Sequence, residues 1–481
     1  MKKIKYILGA LALVFSLQSC EDLLEQDNPN NVTAESGVQS LSGIEKIARG
    51  IYTGLPTDLE VFNNATITDE VVFPAADNQN QGNGRGQYSW EYSPGTVTDR
   101  DDIGGLYRGY YSMINRTNII INNIDKLSVQ TAADELAKQV YKAEAYGMRA
   151  YGHYHLLRNF SPKYNAGSLG IAYKTENNDN EKPSRLTMAE SYAKVLEDLN
   201  TAINTFPATV PTGFGGTYGN NRITKAALQG IKAQIALDMG NYDEAISAAN
   251  AAIGTRTLVT TQAELINLWS DRNDYNEVIF KKSNIQGAGS SLGQSFLYSN
   301  NQVQWNVSET LMTKFDPSDY RNSLFVTNVG AFTTSGVISG KYQLPYHNGV
   351  KGIIGMGDIK LIRTADMILV LAESYARKGD LTNAFANYKK VRDARNAGAS
   401  IAFTSQTDAL NNILDERARE LNYEGTRIND LKRFEKTVSR IAADSRPNYP
   451  VLTLDKTFKL TLPIPQAEMF ANENMKQNEG W

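Results

Sequence analysis

The chain has 481 residues, with 49 Lys and Arg against 52 Asp and Glu, three histidines and one cysteine. Near-balanced charge without a basic cluster argues against nucleic acid as a partner, and a lone cysteine excludes an internal disulfide. The length suits one large body or two domains.

Met1 to Ser19 reads as a signal peptide. Lys2, Lys3 and Lys5 form a basic start, and Ile7 to Leu17 is an apolar run too short for a stable span. It ends in Leu17-Gln18-Ser19-Cys20, the pattern of a bacterial lipoprotein cleavage box, with Gln18 in place of the usual small residue. Cys20 is therefore predicted to carry a lipid anchor, in which each buried methylene contributes about 0.8 kcal/mol. No second apolar run suggests a membrane span.

Glu21 to Asn31 reads as a polar tether and Glu45 to Leu55 as a helix. Ala65 to Pro94 reads as a long loop, because Gly82, Gly84 and Gly86 mix with Asn78, Asn80 and Asn83. Its end, Tyr88-Ser89-Trp90-Glu91-Tyr92, alternates aromatic residues, which on an extended chain share one side. Within it Asp77 to Gly82 has a calcium-loop glycine, but Gln79 and Gln81 replace two expected carboxylate or Asn ligands, so no metal is expected.

Helices are predicted over Leu106 to Leu127 and Glu135 to Arg158, the latter stopped by Phe160-Ser161-Pro162. A further helix, Met188 to Phe206, is capped by Ser184 or Thr187 and ended by Pro207, and should pair with 135–158 as a hairpin. His153 and His155 lie two apart on one helix and face different ways, so they suit no common metal. His347 has no cysteine partner. No phosphate loop and no Ser/His/Asp arrangement is present, so neither a cofactor nor catalysis is predicted.

Two stretches share a stricter spacing. In Asp366 to Arg395 the break is Lys378-Gly379-Asp380, with Ala372 and Tyr375 before it and Ala384, Tyr388 and Val391 after it. In Ala227 to Ile253 the break is Gly240-Asn241-Tyr242, and the same offsets hold Ala233, Ala236, Ala245, Ala249 and Ala252. A left-handed Gly ends one helix and Asp or Asn starts the next. The spacing resembles the tetratricopeptide unit of roughly 34 residues, which must stack on neighbours to bury its apolar face. The predicted fold is mainly α, a right-handed stack of tetratricopeptide-like helical hairpins. A large irregular region, Thr261 to Gly357, interrupts it. That region is rich in Gly, Ser and Asn and carries Trp269, Phe296, Tyr298, Trp305, Tyr342 and Tyr346; such loops are usually functional.

Trp90 and Trp305 are the predicted platforms for a ligand, with Tyr92, Tyr298, Asn78 and Arg85 beside them. An aromatic face suits the C–H face of a sugar, and polar groups suit its hydroxyl edge. Arg417, Glu420, Glu424, Arg427, Asp430 and Arg433 alternate in sign at helical spacing, and read as a scaffold network of exposed pairs contributing a few tenths of a kcal/mol each.

The stretch ERARELNYEGTRINDLKRF, Glu416 to Phe434, resembles the signature of the SusD/RagB family of outer-membrane nutrient-binding lipoproteins. Leu462-Pro463-Ile464-Pro465, Glu468, Asn474 and the ending Gln477-Asn478-Glu479-Gly480-Trp481 are similar to that family's closing motif, from which Glu479 departs. Arg222 to Ala227 and Met148-Arg149-Ala150 also fit, so the resemblance spans the mature chain. Glu21-Asp22 resembles the acidic export signal of surface lipoproteins in Bacteroidetes-type bacteria. The resemblance implies a lipid-anchored, cell-surface protein of the outer membrane that binds oligosaccharides and hands them to a TonB-dependent transporter. It also implies two regions after the signal peptide, 20–220 and 221–481. A peptide-binding uptake lipoprotein, and a structural lid without its own ligand, remain open alternatives.

Overall fold

The computed structural model describes residues 37–74, 84–96, 102–178, 180–208, 219–284, 292–297, 303–329, 332–347, 355–447 and 450–481. The first helices are α1, Leu41–Thr53, and α2, Thr57–Ile67, followed by strand β1, Val71–Val72. Next come α3, Asp102–Asn123, α4, Ala132–Phe160, and α5, Met188–Thr205. Two tight hairpins complete the stack: α6, Lys225–Met239, with α7, Tyr242–Ile253, and α8, Thr364–Arg377, with α9, Leu381–Ala394. Then α10, Gln406–Glu420, and α11, Arg427–Arg433, lead to a C-terminal region of turns. The mainly α, tetratricopeptide-like expectation holds.

Local chemistry explains the hairpins. Gly240 and Gly379 adopt φ of 77° and 82°, a conformation that costs glycine little. The side chains of Asn241 and Asp380 then accept the backbone N–H of Glu244 and Asn383 at the start of α7 and α9. Thr187 starts α5 with a capping box completed by Glu190. Ala233, Ala245, Ala249, Ala372 and Ala384 are fully buried, so paired helices meet backbone to backbone.

Two segments expected to be irregular contain regular elements as well. Ala65 to Ile67 belong to α2, whose low-propensity sequence is stabilised by its own side chains. Asn63, Asn64 and Thr66 donate to carbonyls three or four residues back. Between α7 and α8 lie a helix at Gln262–Trp269, strand β2, Val278–Lys282, strand β3, Asn306–Val307, and a hairpin of β4, Phe325–Val329, with β5, Phe332–Ser339. A further helix, Gly340–His347, precedes β6, Ile359–Arg363. Strand β6 pairs antiparallel with β2, and α7 packs directly on α8, so the stack continues across the insertion.

The signature charges are buried, which corrects the expectation of exposed pairs. The turn after α10 places Tyr423 and Gly425 at φ of 57° and 74°, so the charges meet partners distant in sequence. Arg363 reaches Glu277, Glu420 and Glu424 at 2.7, 2.9 and 2.8 Å. Arg395, fully buried, reaches the same Glu277 and Glu420 at 2.6 and 2.9 Å. Arg321 bonds Glu416, Glu420 and Asp319. Further out, Arg417 pairs with Asp430, Arg433 with Glu373, and Arg427 with Asp69. Burial alone would raise the Glu420 carboxyl, but the guanidinium groups of Arg395, Arg363 and Arg321 hold it well below the carboxylate range.

The end of the chain closes the body. Leu462 N–H donates to the Asn159 carbonyl at 2.8 Å, and Asn478 Nδ2 donates to those of Phe160 and Leu462. Trp481 Nε1 donates to the Thr461 carbonyl. Upstream, Arg149 pairs with Asp198 at 2.7 Å, and Arg222 with Glu144.

Replacing Glu420 with Gln leaves three guanidinium groups short of a buried counter-charge. Glu420→Gln is expected to destabilise by about 3–5 kcal/mol, the usual cost of breaking a buried pair. A denaturation midpoint equal to that of the parent removes the network from its central place.

Candidate functional site

Strands β1 and β3 pair antiparallel, Val71 opposite Val307 and Val72 opposite Asn306. That ladder brings the first aromatic segment to the second. Phe73, just after β1, stacks on Trp305, just before β3, with centroids 4.1 Å apart and planes at 28°. Tyr88 and Phe62 lie 5.4 and 6.5 Å from the same indole, and Phe296 lies 5.5 Å from Phe62.

Convergence is as expected, but exposure is not. Trp305 is 1% exposed and ringed by other aromatics, so it offers no face to a ligand. Trp90 is 6% exposed, and the cause is local. A turn of helix at Arg85–Tyr88 and a φ of 57° at Trp90 replace the extended strand, folding the ring inward. Its Nε1 donates to the Ile67 carbonyl at 2.8 Å, and the Arg440 guanidinium covers one face at 4.5 Å. Tyr92 is 4% exposed, donates its hydroxyl to the Lys459 carbonyl and packs 5.4 Å from Trp481. None of the three rings is exposed: Trp305 belongs to this cluster, whereas Trp90 and Tyr92 pack in the larger helical core. Arg85 is exposed at the start of its helical turn. Asn78, Tyr298 and the Asp77 to Gly82 stretch lie outside the described residues, as does Cys20.

Arg440 went unnoticed in the sequence and is central here. Its guanidinium sits between Tyr88, at 3.7 Å, and Trp90, and donates to the carbonyls of Thr66, Thr68 and Tyr88. Burial lowers its pKa, against the raising effect of Tyr88 and Asp69. Asp444 fastens the neighbouring edge by accepting the N–H groups of Glu309 and Thr310. Neither residue belongs to a periodic pattern that would have marked it.

Beneath the cluster, Asp69 and Glu70 are adjacent buried carboxyls with opposite fates. Burial would raise Asp69, yet Arg427, bonded at 2.7 Å, holds it below the ordinary range. Glu70 Oε1 accepts the Tyr423 N–H, and Oε2 has no partner. Burial, reinforced by the Asp69 charge, pushes Glu70 up to about 8.

The two helical histidines face apart. His155 Nδ1 bonds Glu60 at 2.7 Å. His153 stacks on Tyr173 at 3.8 Å, accepts the Lys174 N–H at Nε2, and is lowered by burial and by Arg149. Among the described residues no helix is long and apolar enough to cross a membrane.

Two family models match the chain. One, described as starch-binding and associating with the outer membrane, covers residues 22–237, and the SusD family model covers residues 275–481. The chain belongs to the SusD family. SusD-like protein P2 of Formosa agariphila is 22% identical, with 98% of this chain aligned to 99% of that one. The starch-binding protein SusD of Bacteroides thetaiotaomicron is 32% identical over 26% of this chain and 22% of its own. A crystal structure titled a putative sugar binding protein, from Bacteroides vulgatus, superposes with a TM-score of 0.75 at 25% identity, covering 92% of this chain and 99% of that chain. The SusD fold here therefore extends over essentially the whole described body.

Two outcomes check the site. Trp305→Ala opens a cavity in the aromatic cluster and is expected to destabilise by about 3–5 kcal/mol; an unchanged unfolding midpoint shows that the ring is not core. Glu70 binds its proton more tightly folded than unfolded, so its contribution is full at low pH and is lost as pH rises from about 4.5 through about 8. Glu70→Gln is expected to flatten the fall in melting temperature between those pH values, and a parallel fall in both proteins refutes the assignment.

Proposed function

We propose that the chain is a carbohydrate-binding lipoprotein that passes oligosaccharides to a TonB-dependent transporter of the outer membrane. Cys20 carries the lipid, and the body stands exposed at the cell surface. The observation that carries this reading is the pair of family matches, one of them described as starch-binding and outer-membrane associating.

The geometry supports the same reading. Two aromatic segments distant in sequence meet through β1 and β3 on a rigid cluster around Trp305. The region 20–220 brings the first segment, and the region 221–481 brings the second. Arg85, Asn78 and Tyr298 are the proposed contact residues, while Trp90, Trp305 and Tyr92 are buried and act in packing. No role in bond cleavage is assigned to any residue: the protein captures and releases.

The test is calorimetric titration of the mature chain against a panel of neutral oligosaccharides and peptides. Reversible oligosaccharide binding is expected, without reducing ends accumulating on incubation, and Cys20→Ala is expected to leave the membrane fraction. Binding of peptides alone, or cleavage of the oligosaccharide, overturns the reading.

A further inference from the structure

A second feature lies away from the aromatic cluster. Tyr107 and Tyr111 stand one turn apart on α3, with ring centroids 4.9 Å apart. They form the floor of a groove of about 560 Å³ between α3, residues 172–174 and 180–183, and the short helix Gln466–Ala471. That volume falls within the ~300–1,000 Å³ of small-molecule sites.

The groove is built rather than incidental. Tyr111 donates its hydroxyl to the Ala172 carbonyl at 2.9 Å, tying floor to one wall. Asn472 Nδ2 donates to the Pro183 carbonyl at 2.9 Å, and Asn474 Nδ2 to that of Lys182 at 2.8 Å, tying the walls together. Tyr107 is set edge-on against Phe160 at 5.0 Å. The shape therefore exists before any ligand arrives, which reduces the ordering cost of binding.

Its chemistry selects a class of ligand. The lining carries both signs of charge, Arg108 and Lys174 against Glu181 and Glu468. A polyanion would meet the carboxylates, and an acyl chain would bury charged groups without partners. Arg108 is exposed and makes no ion pair or hydrogen bond among the described residues. Asn180, likewise exposed, adds a neutral amide to the lining. Aromatic surface with hydrogen-bonding groups of both polarities matches a neutral sugar, whose C–H face is apolar and whose hydroxyls both donate and accept.

We infer that this groove is a second carbohydrate subsite, separate from the face over Trp305. The ligand class rests on the proposed function, and the place rests on the groove itself. Two subsites on one rigid body raise retention of a long chain through effective concentration, while each sugar contact alone stays weak and reversible.

The experiment is calorimetric titration of the mature chain with maltoheptaose and a panel of other neutral oligosaccharides. The parent is compared with Arg108→Ala, with Asn180→Ala and with the double variant. Both positions are exposed, so unchanged melting temperatures are expected and exclude a folding defect. The parent is expected to show two sites per chain; each single variant weakens one by about 2- to 13-fold, the net contribution of a hydrogen bond, and the double variant leaves one. A single parental site weakened by either variant overturns the reading of the groove as a second subsite. One site indifferent to both variants overturns this inference and leaves the proposed function standing, whereas a panel on which nothing binds overturns both.

Discussion

Glu420 is held by three guanidinium groups in a space that water does not reach. Arg321 comes from the insertion, Arg363 from the end of β6, and Arg395 from the end of α9, so one carboxylate joins three separate parts of the chain. Glu277, entering from beside β2, bonds two of the same arginines. Removing so many charges from water is costly, and their mutual attraction offsets that cost only if every partner is in place. The arrangement therefore tolerates one register between insertion and stack and penalises the rest. A hydrophobic contact of equal size slides more easily, because it is not directional.

That register sets the position of the aromatic cluster. With β2 and β6 locked to the stack, β3 is carried to β1, and Trp305 meets Phe73. Arg440 completes the joint by occupying the space between Tyr88 and Trp90. Rings that look like ligand platforms in a linear sequence thus serve as packing that joins the insertion to the first helices.

Legibility in the sequence followed the range of the interactions. Gly240, Gly379, Asp380, Thr187 and the buried alanines act within a few residues, and their spacing predicts the hairpins that the fold contains. Helix α2 was illegible because Asn and Thr are weak helix formers, and their back-bonding to carbonyls depends on burial set by distant packing. The signature charges were legible as a network but not as buried, since decisive partners lie far off in sequence: Arg363 and Arg321 are 57 and 99 positions from Glu420, and Asp69 is 358 from Arg427. Trp90 and Trp305 misled for a related reason. An aromatic residue in a Gly- and Asn-rich stretch looks exposed until β1–β3 pairing and a left-handed turn draw it inward.

The insertion between α7 and α8 leaves and returns at one seam, because those helices touch and β2 with β6 closes the neck. Inside the neck the insertion is pinned to the body at two further places, Arg321 on Glu420 and β3 on β1. Closure entropy rises only slowly with loop length, by about 0.6 kcal/mol per doubling. Chain between those anchor points can therefore lengthen at little cost, whereas a change of register at β3 or Arg321 is felt by the whole body.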